Sequence, residues 1–145
     1  MICVVSIVGC VPKKIVLGPS EASIAGPREK SIIGIWTGKD EKGVDGTFVF
    51  NSDGSADVLK RGVSITGGTL KNQGTLTYHY DPSTAPAALD IVSTKKTGER
   101  TTMRAIVMFL SEDCIKLRIS TSGIRPLDFS GAPRETIVLN RKTKQ

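Results

Sequence analysis

Ile115-Lys116-Leu117-Arg118-Ile119-Ser120 sets apolar and polar side chains in strict alternation, the two-residue period of a strand with one face in a core and one in water. Working outward, Thr47-Phe48-Val49-Phe50, the turn Asn51-Ser52-Asp53-Gly54 and the returning residues 56–59 read as a hairpin. Further strands are expected at 62–66, 70–71 with 75–80, 89–94, 101–110, 114–121 and 136–141. Turns fall between them at Gly67-Gly68, Asn72-Gln73-Gly74, Lys96-Thr97-Gly98, Ser111-Glu112-Asp113 and Ser122-Gly123. Short strands punctuated this way predict an all-β, antiparallel up-and-down barrel of about eight strands, closed so that no edge is left bare. A helical period is absent after Trp36, and the sequence leaves room for one short helix before it, with Pro27 at the first helical position leading 28–33.

The first strand carries Gly34-Ile35-Trp36 and the only tryptophan of the chain. In a small closed sheet such a residue plugs one end, with a strand-end cation across its ring, and Arg141, or failing that Lys142, is placed to supply it. Gly34, Trp36 and Arg141 are therefore the expected structural closure of the barrel. Alternation fails over 103–110, where Ile106 and Met108 make the second half apolar toward both sides. Such a strand is covered on its outer face, here by an amino-terminal segment, or offers that face to a partner.

At 145 residues, with 39% hydrophobic and 23% charged residues, the chain has the length and composition of one folded domain. A formal net charge of +6 makes it a basic protein attracted to anionic surfaces, but Lys13-Lys14, Lys60-Arg61, Lys95-Lys96 and Arg141-Lys142-Lys144 are dispersed. With aromatic residues at 5% and not interleaved with a basic track, specific nucleic-acid binding is not expected. Residues 1–30 read as a leader and tether and 31–145 as the barrel domain. The leader's Ile7-Val8-Gly9-Cys10 resembles a bacterial lipobox, with Cys10 as the site of lipidation, although no cation precedes its short apolar run. Pro12, Gly18, Pro19, Gly26 and Pro27 then suit a linker. On that reading the protein is held in the cell envelope, lipid-anchored or periplasmic, and meets a membrane only through its anchor; without it the protein is cytoplasmic.

Catalytic chemistry finds little support. Cys3, Cys10 and Cys114 fit neither a disulfide framework nor a metal site, and Cys114 has no activating partner nearby in sequence. His79 is the only histidine, flanked by Tyr78 and Tyr80, and reads as a rim residue rather than a general base. The run 51–57 has its glycine in the wrong place for a calcium loop, and Gly67-Gly68 and Gly43-Val44-Asp45-Gly46 lack a strand-to-helix setting for phosphate. No enzyme, cofactor or metal is expected.

Tyr80-Asp81-Pro82-Ser83-Thr84-Ala85-Pro86-Ala87-Ala88-Leu89-Asp90 and Arg125-Pro126-Leu127-Asp128-Phe129 resemble two elements of a lipocalin-like small-barrel family of uncharacterised bacterial proteins abundant in planctomycetes. Together with Gly34-Ile35-Trp36 and the last strand, the resemblance covers 31–142, departing at Ala105-Ile106-Val107 and Glu112-Asp113-Cys114-Ile115. It implies a calycin-like barrel and no particular activity. Each element also has a structural reading. Pro82 and Pro86 fix an extended crossing or edge segment, Asp81 sets a turn, and Arg125 pairs with Asp90 or Asp128. Alternatively Arg125, with Tyr78 and Tyr80, contacts a ligand at the barrel mouth. Two functions follow: a non-enzymatic, extracytoplasmic binding protein for a small or lipidic ligand, or a protein-interaction or envelope-associated module that needs no ligand.

Overall fold

The computed structural model describes residues 30–64, 74–131 and 133–143. Nine strands run through them: Gly34–Lys39 (β1), Asp45–Phe50 (β2), Ser55–Lys60 (β3), Val63–Ser64 (β4), Thr75–Asp81 (β5), Ala87–Thr94 (β6), Arg100–Ser111 (β7), Cys114–Ile119 (β8) and Thr136–Arg141 (β9). Every pairing is antiparallel and, apart from β3 with β5 and β9 with β1, joins neighbours in sequence, β4 forming a short spur on β3. Eight strands thus close an up-and-down barrel, the expected class. Closure is thinnest at two seams: Trp36 and Thr37 face Arg141 and Asn140, while Ser55 and Ala56 face Thr77 and Leu76.

Alternation explains what fills it. Trp36, Phe48, Phe50, Val58, Leu76, Leu89, Ile91, Ala105, Val107, Ile115, Leu117 and Leu139 turn inward and form one continuous core. An eight-stranded barrel is just wide enough for side chains to fill it, and two phenylalanines and an indole occupy much of that width. The outer face of β7 behaves differently. Ile106 is only 2% exposed yet stands outside the core. It faces Ala88 and Arg118 in register, and Arg118 donates to the Asp128 and Ser130 carbonyls of the β8–β9 connection. That connection is a strap tied to the outer face of the sheet on either side of Ile106, through Arg118 on β8 and through Arg125, which reaches Asp90 on β6. Met108, next outward on β7, is 40% exposed.

Several expectations are corrected. No helix forms over the described part of 28–33: residues 30–33 are irregular. Their carbonyls are taken by side chains, Ile32 by Trp36 Nε1 and Ser31 and Ile33 by Arg141, acceptors that a helix would use internally. Residues 82–86 make a turn rather than an extended crossing, because Tyr80 and Asp81 already pair with Leu89 and Ala88 in a hairpin. Asp81 sets that turn by accepting from the Ser83 amide. Strand 62–66 is described only as Val63–Ser64, while Leu70, Lys71 and Gly67-Gly68 lie outside the described residues. A single 3-10 turn, Pro133–Glu135, was not expected from the sequence. Among the described residues no helix is long and apolar enough to cross a membrane.

Candidate functional site

The end of the barrel where β1 begins is built around the indole. Trp36 is fully buried and meets Phe109 edge-on, with ring centroids 6.1 Å apart. The Arg141 guanidinium lies 4.2 Å from the centre of the indole ring and donates to the Ser31 carbonyl at 2.8 Å and the Ile33 carbonyl at 2.6 Å. Its Nε pairs with Asp113 at 3.1 Å. One cation therefore ties the incoming segment 31–33 to the ring and to the β7–β8 turn. Gly34 makes this crossing sterically open: it sits at φ +138°, and a Cβ there would stand 2.6 Å from Arg141 Nη1.

Beside this closure β5 overshoots its neighbour. β3 pairs with β5 only as far as Thr77, so His79, Tyr80 and Asp81 continue past the β2–β3 turn, held on that side by the Tyr78 amide donating to the Gly54 carbonyl. Between this overhang and segment 30–33 lies an open recess of about 470 Å³. Ile32, Ile33, Tyr78, Tyr80 and Pro82 give it apolar walls, and Lys30, Ser31, Ser52 and His79 stand around it. Tyr78 packs edge-on against Phe50 and spends its hydroxyl on the Asn51 carbonyl at 2.8 Å. Among the described residues the Tyr80 hydroxyl has no hydrogen-bond partner. Loss of hydration raises both phenol pKa values, with the Asp53 charge a smaller contribution at Tyr78, so both hydroxyls stay protonated through neutral pH. A second hollow of about 140 Å³ at the far end, lined by Phe48, Val58 and Ile137 under Asp40 and Lys60, is below the usual size of a ligand site.

The candidate residues from the sequence therefore divide. Tyr78 and Tyr80 share the recess. Arg125 does not line it: its Nη2 donates to Asp90 Oδ1 at 2.7 Å and its Nη1 to the Ala105 carbonyl at 2.9 Å. Leu89 and Ile91 point inward, so Asp90 between them points out and Arg125 anchors the strap to the outer wall. Cys114 is a free, half-buried thiol and Cys10 lies outside the described residues. Lys30, Ser52 and Ile33 carry no sequence signal for a site, since what gathers them is the length of the β5 overhang. No metal-binding cluster occurs, and no buried side-chain polar atom lacks a partner, among the described residues. Comparison with protein-family models, with curated proteins and with solved structures finds no match to this chain.

Proposed function

We propose that this barrel is a non-enzymatic binding protein that takes a small or lipidic ligand in the recess beside Tyr80 rather than in its interior. The observation that carries the reading is an open, largely apolar recess of about 470 Å³, a volume within the ordinary range of ligand sites, beside a barrel lined by a continuous core of inward-facing side chains. The resemblance to lipocalin-like bacterial barrels and the lipobox-like Ile7-Val8-Gly9-Cys10 favour an extracytoplasmic setting in the cell envelope. Titrating the full chain with decanol, dodecanol and anilinonaphthalene sulfonate while following amide resonances tests it. The expected result is saturable shifts at Ser31, Ile33, His79 and Tyr80 with little change at Leu89, Ile91 and Leu117. Shifts centred on those three inward-facing residues, or no saturable shift with any probe, would contradict it.

A second reading, a protein-interaction module, is favoured by Met108, Leu110 and Val138 exposed on β7 and β9 and by Leu127, 86% exposed on the strap. Sedimentation velocity across concentration tests its homotypic version, for which a monomer at all concentrations is the contrary result.

A further inference from the structure

We infer that the ligand of this recess is peptide-like, a short extended segment that adds a strand to the free edge of β5 and exchanges main-chain hydrogen bonds with Tyr80; this rests on the recess being the binding site. Strand register fixes which way the Tyr80 main chain points. In an antiparallel ladder successive residues turn their N–H and C=O to alternate sides. The Tyr78 amide donates to the Gly54 carbonyl on the β3 side, so Tyr80, two residues on, turns its N–H and C=O to that side as well. The β6 side agrees. The Arg104 carbonyl accepts from the Ser120 amide, so the next residue, Ala105, faces β6 and bonds with its partner Leu89, which therefore turns away from Tyr80. By this point β3 has ended, since it pairs with β5 only through Ser55 and Ala56. The neighbours across the gap have spent their own groups: Gly54 donates to the Asn51 carbonyl and accepts from Tyr78, the Ser31, Ile32 and Ile33 carbonyls are taken by Arg141 and Trp36, and the Ile33 amide by the Ser31 hydroxyl. Among the described residues the Tyr80 N–H and C=O thus have no partner.

The recess lies along this edge rather than on either face of the strand. It is lined by Tyr78 and Tyr80, which pack against the core, and also by His79, exposed on the opposite face between them. A bare edge of this kind is a template for one more strand. From His79 to Asp81 it offers about 10 Å at ~3.3 Å per residue, room for three residues. The residue opposite Tyr80 exchanges both main-chain bonds and sets its side chain on the Tyr80 side, toward the apolar lining, while its two neighbours, opposite His79 and Asp81, point to water. The matching chemistry is therefore polar, apolar, polar in alternation, with a free N–H on the central residue. A fatty chain fills the apolar walls but leaves the Tyr80 main chain unbonded.

Three probes separate the possibilities: acetyl-threonyl-valyl-threonine amide, the same tripeptide methylated on its valine nitrogen, and decanol, each titrated into the full chain by NMR with hydrogen exchange read at the Tyr80 amide. Without ligand that amide is expected to exchange as fast as the amides of the 96–98 turn. Saturation with the tripeptide should slow it about tenfold or more, and methylation should weaken binding about tenfold, each the worth of about one hydrogen bond. Equal binding of the two tripeptides at the recess, or decanol bound there with no saturable binding of the tripeptide, would overturn the strand addition and leave the recess as the site. A Tyr80 amide already protected without ligand would overturn it too, because the edge would then be covered by the chain itself or by a second copy. If neither the tripeptide nor decanol shifts the recess amides, the recess reading itself fails and takes this inference with it.

Discussion

Trp36 and Arg141 show how far a single contact governs one end of the molecule. The indole fills the barrel mouth, gives its only N–H to the Ile32 carbonyl at 2.7 Å and supports the guanidinium that holds 31–33. Trp36→Ala removes the largest buried side chain and should lower stability by about 3–5 kcal/mol, read as a fall in the urea midpoint. A midpoint near wild type would mean that the ring is not packed as described. Arg141→Ala leaves the ring in place but frees the segment. Because there is only one tryptophan, its fluorescence reports this directly, and the emission should shift to the red as water reaches the ring. Gly34→Ala tests the crossing from the other side: the added methyl meets Arg141 Nη1 in a backbone region that disfavours side chains, for a loss of about 1–3 kcal/mol by the same denaturation. The pairing of Trp36 with a terminal-strand arginine was legible because both residue types are distinctive. Which carbonyls the arginine would reach was not, since that depends on a segment with no strand or helix signal.

Among the elements, the β8–β9 strap has the most individual physics. Arg118, on the outward side of β8, donates to the Asp128 carbonyl at 2.7 Å, to the Ser130 carbonyl at 2.9 Å and to Glu135 at 3.3 Å. Lys116 sits 5.3 Å from the centre of the Phe129 ring, and Arg125 reaches across to Asp90. Arg118→Ala should therefore cost about 1.5–3 kcal/mol and make residues 121–131 the first site of limited proteolysis. Cleavage elsewhere first would show that the strap is held by other means. Acid should loosen the same element. Asp128 is held below its ordinary pKa chiefly by the Ser130 hydroxyl and amide, and Glu135 chiefly by the Thr121 hydroxyl and amide. Folded values below the unfolded ones mean stabilisation that is complete above the ordinary carboxylate range, near pH 4, and lost as pH falls through the folded values. Urea midpoints measured downward from neutral pH should stay level until about pH 4 and then fall. A midpoint that rises on acidification would contradict the sign. The strap was not legible beforehand. Ile106 marked an apolar outer position, for which the sequence offered an amino-terminal cover or a partner, and residues 1–29 lie outside the described residues. What holds the strap is a set of bonds to its backbone carbonyls, which leave no trace in residue pattern.

On the scale of the whole molecule, alternation made the barrel readable: β8 carries a clean two-residue period, and the turns at 51–54 and 96–98 contain Asn, Asp and Gly that tight reversals favour. Closure was only a consequence of avoiding bare edges, and the structure achieves it through two short seams. The recess was less visible still. Tyr78 and Tyr80 stood out as aromatic residues on one strand face, but the site arises because β5 is longer than the β3 edge it pairs with, a difference of length between elements distant in sequence. Everything proposed about binding depends on the barrel being closed, so that the recess lies outside its inward-facing core. Amide hydrogen exchange of the full chain by NMR tests that claim most directly. The Lys142 amide, bonded to the Ile35 carbonyl at 2.7 Å, and the Tyr78 amide, bonded to the Gly54 carbonyl at 2.9 Å, report the two seams. A closed barrel predicts that both are strongly protected, approaching the amides of β7 at the centre of the sheet. Exchange at either seam as fast as in the exposed 96–98 turn would show an open sheet and contradict the account.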